Sequence, residues 1–178
     1  MRLKDKIALI TSAQNPCSHA IAIGFAREGA HCAVADGDVN RAEKLADEVR
    51  SLGQRAVALQ FDITKKPQVE EAVRRTVAEF GRIDVLFNCS GLMLESDFLT
   101  LTEEAFNDCI DHGPKAYFLT CQAVGRQMAE QRSGKIINLS TTDGRVGSGE
   151  STGNSAAYSS IDSMTRAIAQ AWDTMASM

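Results

Sequence analysis

Short apolar runs alternate along this chain with segments in which apolar residues recur every three or four positions. Five runs have the character of strands, at residues 6–11, 31–36, 56–62, 84–88 and 135–140. They are almost continuously apolar, as in "KIALIT" and "HCAVAD", which is typical of parallel strands covered on both faces. Helical periodicity occupies residues 18–28, 40–52, 67–80, 103–130 and 157–172. The alternation predicts an α/β fold with a doubly wound parallel sheet in three α/β/α layers.

The longest helical segment contains Gly113 and Pro114 near its middle. Proline removes one intrahelical donor and clashes with the preceding turn, so a kink or a break is predicted there. No internal repeat or linker interrupts the alternation, and 178 residues are enough for one sizeable core. A single domain over residues 1–178 is therefore expected.

Composition excludes several classes of partner. The chain has 19 basic and 23 acidic residues, a net charge of -4. They are interspersed, so no basic field favours nucleic acid or an anionic membrane. No apolar run could cross a bilayer, and a cytoplasmic location is expected. The five cysteines are odd in number and widely spaced, and with three scattered histidines they predict buried thiols and no metal site.

The loops that follow the strands are the expected ligand-binding positions of a doubly wound sheet. The first loop, in "TSAQNPCSHA", leads into a helix whose free N–H groups could face a pyrophosphate. Asp36 ends the second strand, where an acid accepts hydrogen bonds from adenosine ribose hydroxyls and repels a 2'-phosphate. It therefore favours NAD over NADP, with a helix cap as the alternative interpretation.

Later loops add further polar groups. "FDIT" and "NCSG" follow the third and fourth strands, with a short acid and small residues that allow a cofactor to come close. After the fifth strand come the hydroxyls of Ser140 and Thr141, and Tyr158 opens the last predicted helix. A tyrosine phenol can exchange a proton with a carbinol oxygen. The alternative is a tyrosine that only packs its ring on the core.

Together these segments resemble the short-chain dehydrogenase/reductase (SDR) family. The similarity runs from about residue 3 to residue 172, through "AIAIGFAREGA", "FDIT", "FGRIDVLFNCSG", "GKIINLS" and "AAYSS…DSMTRAIA", in the family's order. The resemblance implies a Rossmann-like domain that binds a nicotinamide cofactor, for which Asp36 favours NAD(H) over NADP(H). It implies an oxidoreductase that interconverts a secondary alcohol and a ketone of a small molecule by hydride transfer. A homodimer or homotetramer is also implied.

The resemblance assigns roles to individual residues. Tyr158 matches the general acid/base, and Thr141, or its neighbour Ser140, matches the hydroxyl that polarises the substrate carbonyl. The residues expected to contact the cofactor are Ser12, Asn15, Cys17, Ser18, Asp36, Asp62, Ile63, Asn88, Ser90 and Gly91.

The chain also departs from the family's pattern. Ser12, Pro16 and Ser18 replace the glycines of the first loop, T-G-x-x-x-G-x-G. This predicts weaker or differently seated pyrophosphate binding, at the amides around Cys17 and Ser18. Gly113 stands where the family has an asparagine of the proton relay.

The catalytic lysine of the family is replaced by Asp162, four residues after Tyr158. A nearby carboxylate is expected to raise the pKa of the tyrosine, because it disfavours the phenolate. The last helix matches the family's only if about one turn, which would contain the lysine, is absent between Ser160 and Ile161.

Two interpretations follow from these departures. In the first, the chain lacks segments of a longer parent, including the C-terminal substrate-binding part after Trp172, and that parent is an ordinary dehydrogenase. In the second, it is a catalytically disabled homologue that acts as a nucleotide-binding or protein-interaction module. We prefer the first, because the gaps lie where mobile loops of an active site would be.

Overall fold

The structure is a computed structural model that describes residues 1–90, 95 and 97–176. It contains two compact units. The sheet unit consists of Met1–Gly91 and Leu119–Ile137, and the helical unit of Leu92–Phe118 and Asn138–Met178. A single domain over the whole chain stays a prediction.

The sheet has five strands in the order β3-β2-β1-β4-β5. They are β1 (Ile7–Ile10), β2 (His31–Asp36), β3 (Ala56–Gln60), β4 (Val85–Asn88) and β5 (Lys135–Asn138). Strand β1 pairs in parallel with β2 and β4, and its four residues are all buried. The predicted doubly wound, Rossmann-like fold is confirmed, and every strand boundary lies within two residues of its predicted place. The strand order reverses between β1 and β4, where ligands bind in such sheets.

Three helices follow the first three strands: α1 (Pro16–Arg27), α2 (Val39–Ser51) and α3 (Lys66–Phe80). Helix α1 begins two residues earlier than predicted, because Asn15 caps it. The side chain of Asn15 accepts the N–H of Cys17 at 2.8 Å, and Pro16 takes a first-turn position where a missing N–H is harmless. Gly81 ends α3 in the left-handed conformation, with φ of 83°.

The predicted long helix is divided at the expected place. Helix α4 (Glu103–Ile110) is followed by a wider turn at Asp111–Lys115 and then by α5 (Ala116–Gln131). Gly113 leaves the helical region, with φ of -87° and ψ of -113°, because the residue before a proline is disfavoured in helical conformation. The predicted kink at "GP" is therefore confirmed.

The end of the chain differs from the prediction in two respects. A short helix, α6 (Asp143–Val146), was not predicted, because four residues are too few to show a periodicity. Helix α7 (Thr152–Ala176) begins five residues before the predicted start. Its first turn, in "STGNSAA", consists of small polar residues with weak helix propensity, so tertiary packing decides this boundary.

That packing is a close seam between α7 and the α4 region, which we define as α4 with the wider turn after it, residues 103–115. A Cβ added to Gly153 would lie 2.8 Å from the sulfur of Cys109, and one added to Gly113 would lie 3.0 Å from the Cβ of Ala157. Both contacts step by four residues on both segments, so the two segments run side by side in the same direction. Gly113 therefore has a packing role at the position of the family's asparagine.

Four of the five cysteines are buried, as predicted, and burial raises the pKa of the Cys32 thiol to about 12. Cys17 differs, because it lies on the exposed side of the first turn of α1. Within the described residues, no group of acidic, histidine and cysteine side chains could hold a metal ion. None of the described helices is both long and apolar enough to cross a membrane.

Asp84 joins three strands at the amino end of the sheet. Its buried carboxylate accepts the N–H of Ile7 at 3.0 Å and contacts Arg82 at 2.7 Å. Its backbone N–H donates to the carbonyl of Ile7, and its carbonyl accepts the N–H of Lys135. Asp84 therefore connects the start of β1 and the start of β5 at the amino end of β4.

Replacing Asp84 with alanine is expected to lower the free energy of unfolding by about 1–3 kcal/mol, because the Ile7 N–H loses its acceptor in a buried place. Urea unfolding measures this. The control is Asp47→Ala, which removes an exposed carboxylate paired with Arg50 and should change stability by about 0.5 kcal/mol or less. Equal losses in the two variants would show that Asp84 has no special structural role.

Candidate functional site

Thr11 joins the carboxyl ends of β1 and β4. Its hydroxyl donates to the carbonyl of Cys89 and accepts the N–H of Cys89, both at 2.8 Å. Its own N–H donates to the carbonyl of Phe87 at 3.1 Å. The side chain thus continues the pairing of the two central strands beyond their ends. It fixes the backbone that leads to Ser90 at the point of order reversal.

Two serines at family glycine positions hold the first loop by their hydroxyls. Ser12 has φ of 54°, the left-handed conformation that a glycine adopts without strain. Its Oγ donates to the carbonyl of Cys89 at 2.7 Å. Ser18 is fully buried, and its Oγ donates to the carbonyl of Thr11 at 2.7 Å. The loop therefore keeps a glycine-like turn at Ser12 and adds side-chain hydrogen bonds to it.

The amino end of α1 is already partly occupied by its own cap. Asn15 accepts the N–H of Cys17 with its side chain and the N–H of His19 with its carbonyl, at 2.8 and 3.0 Å. Pro16 has no N–H to offer. A phosphate at the Cys17 amide would have to compete with the Asn15 side chain. Weakened pyrophosphate binding stays a prediction, and this competition would be its physical cause.

Asp36 connects its own turn to the first loop. Its carboxylate is 5% exposed, and it accepts the N–H of Gln14 and the N–H of Asp38, each at 3.0 Å. The cap of α2 is Asp38, whose side chain accepts the N–H of Asn40. The capping role considered for Asp36 therefore belongs to Asp38. A carboxylate has about four acceptor positions, so Asp36 can still accept a ribose hydroxyl.

An arginine that sequence reasoning missed lies beside Asp36. Arg41, in the first turn of α2, places its guanidinium 3.9 Å from the Asp36 carboxylate and also hydrogen-bonds the side chain of Gln14. In the sequence, the acid is followed directly by Gly37 and not by an arginine. Arg41 lies five residues after Asp36, and the first turn of α2 places its guanidinium beside the carboxylate.

The remaining cofactor positions follow β3 and β4. Asp62 is half-buried, and its carboxylate accepts the N–H and the hydroxyl of Thr64, at 2.8 and 2.7 Å. Asn88 is buried at the end of β4, with its amide against the sulfur of Cys121 at 3.4 Å. Ile63 and Ser90 are half-buried. Gly91 lies outside the described residues.

The helical unit buries two hydroxyls just after the end of β5. Neither Ser140 Oγ nor Thr141 Oγ1 has a hydrogen-bond partner among the described residues, although both atoms are inaccessible to solvent. Buried polar atoms are normally paired with a protein group, an ordered water or a ligand, so these two hydroxyls are available to such a partner. A hydroxyl can donate to a carbonyl oxygen, which fits the predicted role of these two residues.

Tyr158 lies in the second turn of α7 rather than at its opening, because α7 begins early. It is 7% exposed, and its ring lies in a cluster with Tyr117 and Ile161. Gly144 lies close to its backbone, since an added Cβ would lie 2.8 Å from the carbonyl carbon of Tyr158. The hydroxyl of Ser159 donates to the carbonyl of Gly144. The segment after Thr141 is therefore held on the turn that carries Tyr158.

Asp162, one turn after Tyr158, is 18% exposed on its side chain and pairs with Arg145 at 3.7 Å. Sequence reasoning did not identify Arg145, which partly balances the charge of Asp162. Helix α7 runs without interruption through Ser160 and Ile161. If one whole turn were absent here, the remaining helix would also be continuous. Both interpretations of this segment therefore stay open.

The left-handed conformation of Ser12 allows a comparison of two substitutions. Both Ser12→Gly and Ser12→Ala lose the hydrogen bond to Cys89, but only alanine keeps a Cβ in a strained backbone. The glycine variant is therefore expected to be more stable than the alanine variant by about 1 kcal/mol. Urea unfolding of both variants checks this order, and an alanine variant as stable as the glycine variant would contradict it.

Comparison with known proteins gives relatives over most of the chain. A 3-oxoacyl-(acyl-carrier-protein) reductase of Staphylococcus epidermidis is 35% identical over 144 residues, which is 80% of this chain and 59% of that protein. A 5-keto-D-gluconate 5-reductase of Escherichia coli K12 is 31% identical over 166 residues, 93% of this chain and 65% of that protein. This chain thus spans less than two thirds of either relative.

Solved structures share the fold closely. A xylitol dehydrogenase with bound NAD+ superposes with a TM-score of 0.95 at 26% identity, over 98% of this chain and 68% of that chain. A levodione reductase gives a TM-score of 0.93 at 27% identity, over 98% and 69%. The model of the short chain dehydrogenase family matches residues 6–176. With this match and the shared sheet, the chain belongs to the short chain dehydrogenase family.

Proposed function

We propose that this protein is an NAD(H)-dependent oxidoreductase that interconverts a secondary alcohol and a ketone of a small molecule. The observation that carries the proposal is the pair of buried hydroxyls of Ser140 and Thr141, which have no partner among the described residues and lie in the same unit as Tyr158. Such hydroxyls are suited to hydrogen-bond a substrate oxygen whose negative charge grows during reduction.

The donors and acceptors of the sheet unit fit a dinucleotide at its adenosine end. The Asp36 carboxylate would accept the ribose hydroxyls, and the crevice residues Asp62, Ile63, Asn88 and Ser90 would line the adenosine and the adjoining ribose. The pyrophosphate would face the first loop, at Ser12, Asn15, Cys17 and Ser18. When bound, NAD supplies the hydride acceptor for oxidation, and NADH the hydride donor for reduction.

The identity of the nucleotide depends on the balance between Asp36 and Arg41. A buried carboxylate would repel a 2'-phosphate, which favours NAD. Arg41, half-exposed and 3.9 Å from that carboxylate, would attract one. We propose NAD, because the Asp36 carboxylate is fixed by two backbone N–H groups whereas the guanidinium lies at the surface.

The proton of the reaction is assigned to Tyr158. In reduction its phenol would donate a proton to the substrate oxygen, and in oxidation it would accept one from the alcohol. The hydroxyl of Thr141, or that of Ser140, would donate a hydrogen bond to the same oxygen and polarise it. Because the named relatives reduce an oxoacyl group and a keto sugar acid, small polar ketones are the substrate class to test first.

A homodimer or homotetramer in the cytoplasm is proposed as the working form, and light scattering of the purified protein would measure its size.

A second function is favoured by one observation. Asp162 stands where the family has its lysine, and its side chain is engaged by Arg145. Without that lysine the protein could bind a nucleotide, or a partner protein, without catalysing hydride transfer.

Nucleotide binding can be measured at Cys17, since the other four cysteines are buried. Alkylation should label Cys17 first, and NADH bound at the first loop should slow it. The protecting concentration should be at least about tenfold lower for NADH than for NADPH, because Asp36 repels the 2'-phosphate. Asp36→Ala should remove most of this preference. Protection by NADPH at lower concentration than NADH would overturn the assignment of NAD.

Turnover separates the two functions. With NADH and a panel of keto acids and oxoacyl thioesters, Tyr158→Phe should lower kcat by about a hundredfold or more, because the proton donor is lost. Ser160→Ala, which removes an exposed hydroxyl that donates to the carbonyl of Ala156 in its own helix, is the matched control and should keep full activity. Protection of Cys17 without any turnover would instead support the nucleotide-binding module. If neither protection nor turnover is observed, the protein-interaction module is the interpretation that remains.

A further inference from the structure

Tyr117 is the second residue of α5, and it is fully buried. Because a phenol is costly to bury without a hydrogen bond, a tyrosine in the interior usually has a partner for its hydroxyl. Here the hydroxyl donates to the carbonyl of Leu139 at 3.0 Å. Neither the sequence pattern nor the proposed reaction accounts for this interaction.

The Leu139 carbonyl is the first backbone acceptor after β5, and Leu139 directly precedes Ser140 and Thr141. The hydroxyls of those two residues have no partner among the described residues, so their side chains do not fix the segment. Downstream, the segment is tied by the N–H of Gly144 to the carbonyl of Thr141 at 3.3 Å. Upstream, Tyr117 ties Leu139, next to Asn138, whose side-chain amide donates to the hydroxyl of Thr165 on α7 at 2.8 Å.

The ring of the same side chain contacts α7. Tyr117, Tyr158 and Ile161 form one buried cluster, with Met164 against it. Residues three apart on a helix share a face, so Tyr117 meets the face of α7 that carries Tyr158. One side chain thus packs its ring in the cluster that contains Tyr158 and bonds the loop of Ser140 and Thr141 through its hydroxyl.

Gly113, in the turn before α5, cannot make the same connection between the loop and α7. Gly113, four residues earlier, has no side chain, and its contact with Ala157 leaves little space for one, since an added Cβ would lie 3.0 Å from the Ala157 Cβ. Tyr117 is the next residue of this segment on the face that meets α7.

We propose that Tyr117 is a positioning residue for the reaction: it holds the Leu139–Thr141 loop and Tyr158 in one arrangement. It exchanges no proton with the substrate itself. This inference rests on the proposed function, because the geometry that Tyr117 fixes matters only if Tyr158 and a hydroxyl of the loop act on one oxygen.

Tyr117→Phe tests the proposal, because it keeps the ring and removes only the hydroxyl. We expect kcat to fall by about tenfold to a hundredfold, as misplaced reacting groups do. The KM for NADH should not change, and the pH profile should keep its shape, because Tyr158 is intact. Hydrogen exchange of the amides of residues 140–146 should become faster.

The matched control is Thr76→Val. Thr76 is fully buried in α3, and its hydroxyl donates to the carbonyl of Ala72 at 2.8 Å. Its loss should lower the melting temperature to a similar extent but leave kcat and the exchange of residues 140–146 unchanged. An equal fall of kcat in both variants would show general destabilisation and overturn the proposal.

Unchanged kcat and unchanged exchange in Tyr117→Phe would also overturn it. If the wild-type protein shows no turnover, the proposed function fails, and the exchange measurement still decides whether Tyr117 holds the loop. Faster exchange confined to residues 140–146 supports that structural tie, and unchanged exchange rejects it.

Discussion

Two hydrogen bonds between the Thr11 hydroxyl and the backbone of Cys89 hold the ends of the central strands together. At this place the chain leaves β1 in one direction and β4 in the other, so the pairing of the sheet would otherwise end. The hydroxyls of Ser12 and Ser18 add bonds to Cys89 and Thr11 from the first loop. The backbone that would face a cofactor is therefore fixed from both strands by three short side chains.

This arrangement changes what the first loop can do. A glycine-rich loop leaves its amides free and its backbone open to a phosphate. Here Ser12 keeps the left-handed turn at some cost in strain, and Asn15 uses its side chain to satisfy the Cys17 amide. The loop is held by its own hydrogen bonds, and a pyrophosphate at the Cys17 amide would have to replace one of them. The adenosine end, organised by Asp36, would then contribute a larger part of the affinity.

The sequence predicted the sheet well, because buried parallel strands are continuous apolar runs that need no knowledge of their neighbours. The start of α7 was wrong because the contact of Gly153 with Cys109, not helix propensity, determines it. Arg41 and Arg145 were missed because their acidic partners are reached only after the chain has folded. Tyr117 was overlooked for a similar reason: in the sequence it is one apolar position of a helix, and its acceptor is 22 residues away.

The seam between the α4 region and α7 also restricts how this protein can evolve. A Cβ at position 113 would lie 3.0 Å from the Cβ of Ala157, so any side chain there needs its neighbour to give by a few tenths of an ångström. Ala157 directly precedes Tyr158 on α7, so such a shift would be passed on to the proposed proton donor. A substitution at position 113 would thus disturb the reaction without touching any ligand.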